Sequence, residues 1–382
     1  MLEPVSLPLG FEAFHKKLFV NYQLNRAHSL GYARRDELAD AARRIQKPAD
    51  CVPEFDALSY RAEAEGRTAN SASYLRIAEF FTAGSSPEKV ALYRRYRDLF
   101  DEAIVDAGVQ RHDVPHEGGR LPAYLLRAHG STQRGTVLVH GGFDSLIEEL
   151  FAIWHRIAHR GFDVVAFDGP GQGGARRLAG LTFDHDWEKP VGAILDHFGI
   201  ERAGIVGISM GGYWALRAAG REPRIDRVVS WPPVYDWLLR IPRPVRPLGR
   251  VMLGRRTFMR WSVRTRARLV PTLGFVVDQA LYNVDSRDHY DVVAWFLGMN
   301  RHHLDSGRVT QDVLLMVGEH DRFQPPELAA AQAEALTGAR SVTVRSFTKQ
   351  EHADQHCQMG NLELACKVVT DWLAQRPAAG SP

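Results

Sequence analysis

Cysteine is scarce in this chain: Cys51, Cys357 and Cys366 are the only three among 382 residues. An odd set without metal-ligand spacing excludes a disulfide framework and a cysteine-based zinc module, and reduced thiols in a cytoplasm are the simple expectation. Long apolar runs are missing too; no stretch approaches the roughly 18 residues that a membrane helix needs. The start, MLEPVSLPLGFEAF, shows neither a basic leader nor a sustained apolar segment, so no signal peptide is read there. Acidic residues are absent between Arg240 and Arg268, where ten arginines gather, while net charge over the whole chain is only +3. Met252, Phe258, Trp261 and several prolines interrupt this block, unlike a disordered basic tail. A solvated or interface-facing helical cap is the first expectation for it, anionic-substrate recognition the second and nucleic acid the last.

Up to about residue 112 the pattern is helical. ELADAARRIQ, DALSYRAEAEGRTANSASYLRIAEFF and PEKVALYRRYRDLFDEAIVDAG place apolar residues at threes and fours with charges between them. Pro87 suits the first turn of the last of these. The texture then changes. PAYLLRAHG, GTVLVHGG, FDVVAFDGPG, AGIVGISMGG, DRVVSWPP, DVLLMVGEHD and RSVTVRSF are short, rich in Val, Ile and Leu, and mostly end in glycine, proline or aspartate. Such runs read as strands buried on both faces. Helical patterns such as SLIEELFAIWHRIAHRG and GGYWALRAAG lie between several of them, which predicts an α/β fold with a mostly parallel sheet flanked by helices. The expected division is a helical N-terminal domain over 1–112 and a catalytic domain over 113–382. Between about 232 and 300 the alternation lapses for too long to be a simple connection, and an inserted cap is expected. The closing RPAAGSP reads as a frayed tail.

Sheet-based enzymes carry their chemistry at the carboxyl ends of strands. One such end holds G-x-S-x-G as Gly207, Ile208, Ser209, Met210 and Gly211, after the strand-like AGIV and before the helical GGYWALRAAG, the context this motif requires. Glycines on both sides permit a tight turn that exposes the Ser209 hydroxyl, and the helix amino terminus behind it favours developing negative charge. A serine hydroxyl needs a base, and the base an orienting carboxylate, in the chain order serine, acid, histidine. Asp321 ends DVLLMVGEHD and is the candidate acid; Glu319, before the turn, is the weaker rival. After RSVTVRSF comes EHADQHCQMGN with His352 and His356, and topology selects this loop without choosing between the two. Backbone amides must face the forming oxyanion. Met210 supplies one, and the glycine-bearing loop of VLVHGGFDS the other, Phe143 first and Gly142 next. Tyr235 and Asp236, with Trp231 just before them, follow the next strand and are candidate substrate contacts.

Three patterns are set aside. Gly169, Gly171 and Gly174 satisfy G-x-G-x-x-G, but Pro170 removes an amide from the phosphate cradle and ARRLAGLTFD is a poor helix, so no dinucleotide site is expected. His155 and His159 lack the intervening glutamate of H-E-x-x-H and read as a surface helix. His302, His303 and Asp305 read as a polar loop.

HGGFDSLIEEL, FDGPGQG, GISMGGYWALRAA and above all ARSVTVRSFTKQEHADQHCQMGNLELACKVVTDWL resemble the α/β-hydrolases. Within them the chain is similar to bacterial and fungal hydrolases with a helical N-terminal domain, such as the fungal polyketide-shortening hydrolase of pigment synthesis (yellowish-green type) and 2,6-dihydroxypseudooxynicotine hydrolase. The likeness runs from about residue 110 onward. In that family the catalytic histidine precedes a Cys-Gln pair, so the resemblance implies His356, which precedes Cys357 and Gln358. It places the acid on Asp321 and the nucleophile on Ser209. His352 falls where relatives commonly carry glycine and is read as decoration of the loop. The implied reaction is cleavage of a C–C bond beside a ketone, or of an ester, in a polyketide-like or aromatic β-dicarbonyl substrate of secondary metabolism. Acyl transfer or cyclisation at the same site, and a non-catalytic binding protein on this scaffold, are the alternatives. Trp231, Trp237, Phe258 and Trp261 near the arginines suit an aromatic or acidic substrate. The expected partner is a small molecule, with no cofactor, metal, nucleic acid or membrane implied. The helical first part is expected to cover the pocket or to build a homodimer interface.

Overall fold

In the computed structural model, which describes residues 3–130 and 133–375, five helices come first: α1 (Leu18–Ser29), α2 (Arg35–Arg44), α3 (Cys51–Ala64), α4 (Thr68–Phe81) and α5 (Glu88–Ala103). The RPAAGSP tail lies outside the described residues. Apolar side chains at helical spacing, among them Val20, Leu24, Leu38, Phe55, Leu58 and Leu75, bury one face of each helix in a shared cluster.

Strands and helices then alternate through β1 (Gln110–His116), β2 (Gly119–Leu126), β3 (Thr136–His140), α6 (Phe151–His159), β4 (Asp163–Phe167), α7 (Gly173–Arg177), α8 (Glu188–Phe198), β5 (Ala203–Ile208), α9 (Gly211–Ala219) and β6 (Ile225–Trp231). Five helices intervene before the sheet resumes: α10 (Arg246–Leu253), α11 (Arg256–Leu269), α12 (Pro271–Val284), α13 (His289–Gly298) and α14 (Arg301–Leu304). β7 (Asp312–Gly318), α15 (Pro326–Ala335), β8 (Ser341–Phe347) and α16 (Leu362–Ala374) complete the described chain.

The eight strands form one sheet in the order β1-β2-β4-β3-β5-β6-β7-β8. β1 pairs antiparallel with β2 and β2 with β4, and every other pair is parallel. The α/β fold expected from the alternation is therefore present. Period-2 geometry sorts the side chains between two cores. Val139, Val164 and Val206 pack with Trp154 and Val369 of α6 and α16 on one face, whereas Leu138, Val165 and Ile205 pack with Ile194 and Trp214 of α8 and α9 on the other. All seven apolar runs become strands, six of them buried on both faces as expected; β8, at one edge of the sheet, fully buries only Phe347. The eighth strand, β1, at the other edge, gives no such signal because its exposed positions carry polar residues and a proline: Gln110, Arg111, Asp113 and Pro115 are exposed and only Val114 and His116 are buried. It joins β2 through Glu117 and Gly118, both at positive φ, as a two-residue hairpin turn requires.

Where α4 and α5 meet the sheet's helices, the contact is ionic and buried. Glu79, with no exposed surface, accepts from Arg76 at 2.6 Å and Arg177 at 2.7 Å and lies 3.4 Å from the Lys89 ammonium. Burial alone would raise the Glu79 carboxyl, but Arg177, Lys89 and Arg76 outweigh it and bring it down to about 2. Burial likewise brings the Lys89 ammonium down to about 7 against the pull of Glu79. Among the described residues no helix is long and apolar enough to cross a membrane.

Candidate active site

β5 ends at Ile208, and the turn into α9 puts Ser209 at φ +59°, a left-handed conformation costly for any residue with a side chain. The turn is held by the Ser209 amide donating to the Trp231 carbonyl at 2.6 Å. Its flanking glycines are sterically obligatory. A β-carbon on Gly207 would fall 2.0 Å from the Gly211 carbonyl oxygen, and one on Gly211 2.6 Å from that of Gly141. The spacing of G-x-S-x-G thus follows from the close approach of β3, β5 and α9.

The Ser209 hydroxyl lies 2.9 Å from His356 Nε2, and His356 Nδ1 lies 2.7 Å from Asp321 Oδ2. Asp321 follows β7, and its other carboxylate oxygen accepts from the Phe323 and Gln324 amides, each at 2.8 Å. With both oxygens engaged, Asp321 fixes the tautomer: Nδ1–H donates to the carboxylate and Nε2 is left to accept from the serine. Burial by itself disfavours the imidazolium, but the adjacent carboxylate outweighs it and lifts the His356 ring well above the ordinary histidine value. Tyr22 of α1 donates to the His356 carbonyl at 3.3 Å.

The rivals stand elsewhere. Glu319 accepts from the Lys349 amide at 2.7 Å, on the far side of the turn. His352 is exposed and sits at φ +56°, a conformation that favours glycine, which fits decoration of the loop.

Beside the serine the β3 loop approaches so closely that a β-carbon on Gly142 would lie 2.7 Å from the Met210 amide nitrogen and 2.8 Å from Ser209 Cβ. The Gly142 amide is already committed to Ser145 Oγ at 2.6 Å. The amides of Met210 and Phe143 have no acceptor among the described residues. Gln172 bridges the Gly141 and Gly142 carbonyls at 2.8 and 2.9 Å, and the buried His140 ring, whose pKa burial lowers to about 4, donates as a neutral imidazole to Gly141 at 3.1 Å. This arrangement leaves two free amide donors beside the serine, one at the start of α9 and one on the β3 loop packed against it.

A cavity of about 180 Å³ opens on Ser209 and His356, with aromatic walls from Phe19, Phe143, Trp237, Phe275, Phe296 and Phe323. Trp231, Tyr235 and Asp236 do not line it. The Trp231 ring is fully buried in the core between sheet and α6, Tyr235 packs in the opposite core, and Asp236 caps the next turn through the Leu238 amide at 2.9 Å. Of the arginine block only Arg240 reaches the cavity, with its guanidinium held by the Phe323 carbonyl at 2.6 Å and stacked 4.9 Å over Trp237. Phe258 and Trp261 are exposed on α11, away from the cavity.

Gln172, Ser145 and Tyr22 went unrecognised in the sequence. Gln172 had a signal, since it follows β4 at the same sheet edge as the serine, inside the glycine run dismissed as a dinucleotide motif. His155 also differs from expectation: it is buried, stacked on Phe151 at 4.7 Å, not part of a surface. His303 bonds Asp186 and the Tyr213 hydroxyl at 3.1 and 3.0 Å. No group of three or more His, Cys, Asp and Glu among the described residues is placed to hold a metal.

A sequence profile of the alpha/beta hydrolase family matches residues 136–355. Hydrolase acrC of Aspergillus aculeatus is 34% identical over 203 residues, 45% of this chain and 47% of its own. The 20-hydroxy-prefusarin hydrolase FUS2 of Gibberella moniliformis is 34% identical over 210 residues, 47% of this chain and 49% of its own. The chain spans about half the length of the curated relatives it matches. The crystal structure of 2,6-dihydroxy-pseudo-oxynicotine hydrolase aligns over 93% of this chain and 96% of that one, with a TM-score of 0.65 at 19% identity, a likeness of fold.

Proposed function

The chain belongs to the alpha/beta hydrolase family, and on that premise we propose that it is a serine hydrolase with Ser209 as nucleophile, His356 as base and Asp321 as the orienting acid. The observation that carries this reading is the continuous hydrogen-bonded path from the Ser209 hydroxyl through His356 to Asp321, 2.9 and then 2.7 Å. His356 takes the hydroxyl proton as Ser209 Oγ attacks a carbonyl carbon. The oxygen of that carbonyl gains charge and is met by the Met210 and Phe143 amides. The imidazolium, stabilised by Asp321, then returns its proton to the leaving group, and water admitted to the site releases the acid.

The leaving group we favour is carbon: an enolate expelled from a β-dicarbonyl, polyketide-like or aromatic, of secondary metabolism. Such a group leaves as a carbanion equivalent and needs a proton delivered to it, and a His356 lifted above the usual range is suited to hold that proton. Aromatic walls of Phe143, Phe275, Phe296 and Phe323 suit a flat, apolar substrate. An ester uses the same groups with an easier departure. In this reading 1–112 forms the helical domain and about 232–300 the cap that roofs the catalytic domain. Incubating a β-diketone with wild type and with Ser209→Ala tests it. Acid and ketone should accumulate only with the wild type, and ¹⁸O from labelled water should enter the acid. Equal rates for the two proteins would refute the assignment, and an unlabelled ester or cyclised product in place of the acid would mark acyl transfer.

A further inference from the structure

Two cavities meet behind Ser209. The one that exposes the serine encloses about 180 Å³, short of the roughly 300–1,000 Å³ of pockets that enclose drug-sized ligands. A larger one, about 440 Å³, occupies the seam between α1, α4, α5 and the start of α6. Gln23, Arg26 and Phe80 line both and so form the wall between them. The serine cavity alone falls below that range, and the seam cavity supplies the volume it lacks.

That wall consists of side chains. Arg26 of α1 contacts Gln23 Oε1 at 3.4 Å, bonds Asp144 Oδ1 at 2.9 Å and pairs with Glu149. Arg76 of α4 also pairs with Glu149 and donates to the Asp144 main-chain carbonyl at 2.5 Å, so if Arg26 swings aside Glu149 keeps a cation and the Asp144 carboxylate, 33% exposed, is left to solvent. Beyond the wall Ile77, Tyr96, Phe100 and Phe151 make apolar sides. Glu148, 1% exposed, supplies a polar end: its Oε1 accepts from Tyr93 and Tyr124 at 2.8 and 3.1 Å, while its buried Oε2 has no partner among the described residues. A buried acceptor without a donor is costly and points to a missing one.

We propose that the seam cavity is a distal subsite for the substrate cleaved at Ser209, with Arg26 as the gate. The reacting carbonyl sits at the serine, and an extended apolar portion passes Arg26 and ends, in the preferred substrate, in a hydroxyl that donates to Glu148. The subsite makes the enzyme selective for long substrates over short ones. This rests on the hydrolytic reading of Ser209. The gate also touches the chemistry, because Asp144 directly follows Phe143, and Arg26 is in this sense a positioning residue.

The test uses the full chain with p-nitrophenyl acetate, butyrate and decanoate. In a second arm, decanoic and 10-hydroxydecanoic acids are titrated calorimetrically into Ser209→Ala, which needs no turnover. Ala72→Phe fills the chamber from α4, and Ser73→Phe, at a half-buried position, is the milder version. In the wild type kcat/KM should rise at least tenfold from acetate to decanoate, and both fillings should flatten that rise. Binding of decanoic acid should weaken at least tenfold on filling, and the hydroxy acid should bind more tightly than decanoic acid in the unfilled protein. Chain-length profiles that superpose in wild type and both filled variants, or acid binding indifferent to filling, would overturn the subsite. Absence of ester turnover with binding still sensitive to filling would sink the hydrolytic reading and leave the subsite standing.

Discussion

The floor and the roof of the Ser209 cleft are held in different ways. On the floor, His356 and Asp321 are buried with every side-chain polar atom engaged, and the β3 loop beside Ser209 is pinned by Gln172, Ser145 and His140. The roof, between β6 and β7, has two helices, α10 and α11, with no buried residue at all, and leaves Leu248, Trp261 and Leu269 62, 65 and 75% exposed. Groups that must meet a transition state within fractions of an ångström sit on strand ends fixed by packing. The exposed helices α10 and α11 stand outside that packing and contribute no residue to the cavity at Ser209.

Removing the proposed nucleophile on the floor should have the largest effect. Ser209→Ala should lower kcat on the order of 10⁴-fold or more with an unchanged circular dichroism spectrum. Next comes the buried ionic seam that anchors the first helices. Glu79→Ala strips Arg76, Lys89 and Arg177 of their shared carboxylate and should cost about 3–5 kcal/mol, read as a lower Tm. Gly142→Ala drives a methyl against the Met210 amide and should cost about 10²–10³ in kcat, the range for losing one oxyanion donor.

A smaller effect is expected in the pH profile. His356 must be neutral to accept the serine proton, and Asp321 raises its pKa, so kcat/KM should fall as pH drops through a value above the ordinary histidine figure of about 6.5. Asp321→Asn removes the raising charge and should move that limb to lower pH while slowing the reaction. The smallest effect belongs to the roof. Trp261→Ser should change stability by no more than about 0.5 kcal/mol and leave turnover of a small ester intact. A large loss there would erase the contrast between the two surfaces.

The same contrast separates what could be read in the sequence from what could not. Six strands are legible as apolar runs because both their faces are buried, β8 is legible from its Val and Thr content despite an exposed edge, and the strand–serine–helix context singles out Ser209. β1 escaped because one exposed edge strand needs few apolar residues. Between His352 and His356 the residues alone gave no decision; the choice came from the likeness around Cys357 and Gln358, and only the fold shows Nε2 turned to the hydroxyl. Contacts among distant segments stayed hidden. Tyr22 reaches His356 across 334 positions, and Phe296 meets Phe143 and Phe275 meets Phe80 only once the roof is folded. Trp231, Tyr235 and Asp236 were placed by adjacency to a strand end, which fixes the backbone but not the direction of a ring.

The account depends on an activated Ser209 hydroxyl, and labelling with a fluorophosphonate probe followed by intact and peptide mass measurement examines that most directly. A single adduct on the peptide carrying Ser209, absent from Ser209→Ala and strongly slowed in His356→Ala, is the predicted result. A wild-type protein that stays unlabelled, or an adduct that survives Ser209→Ala, would contradict it.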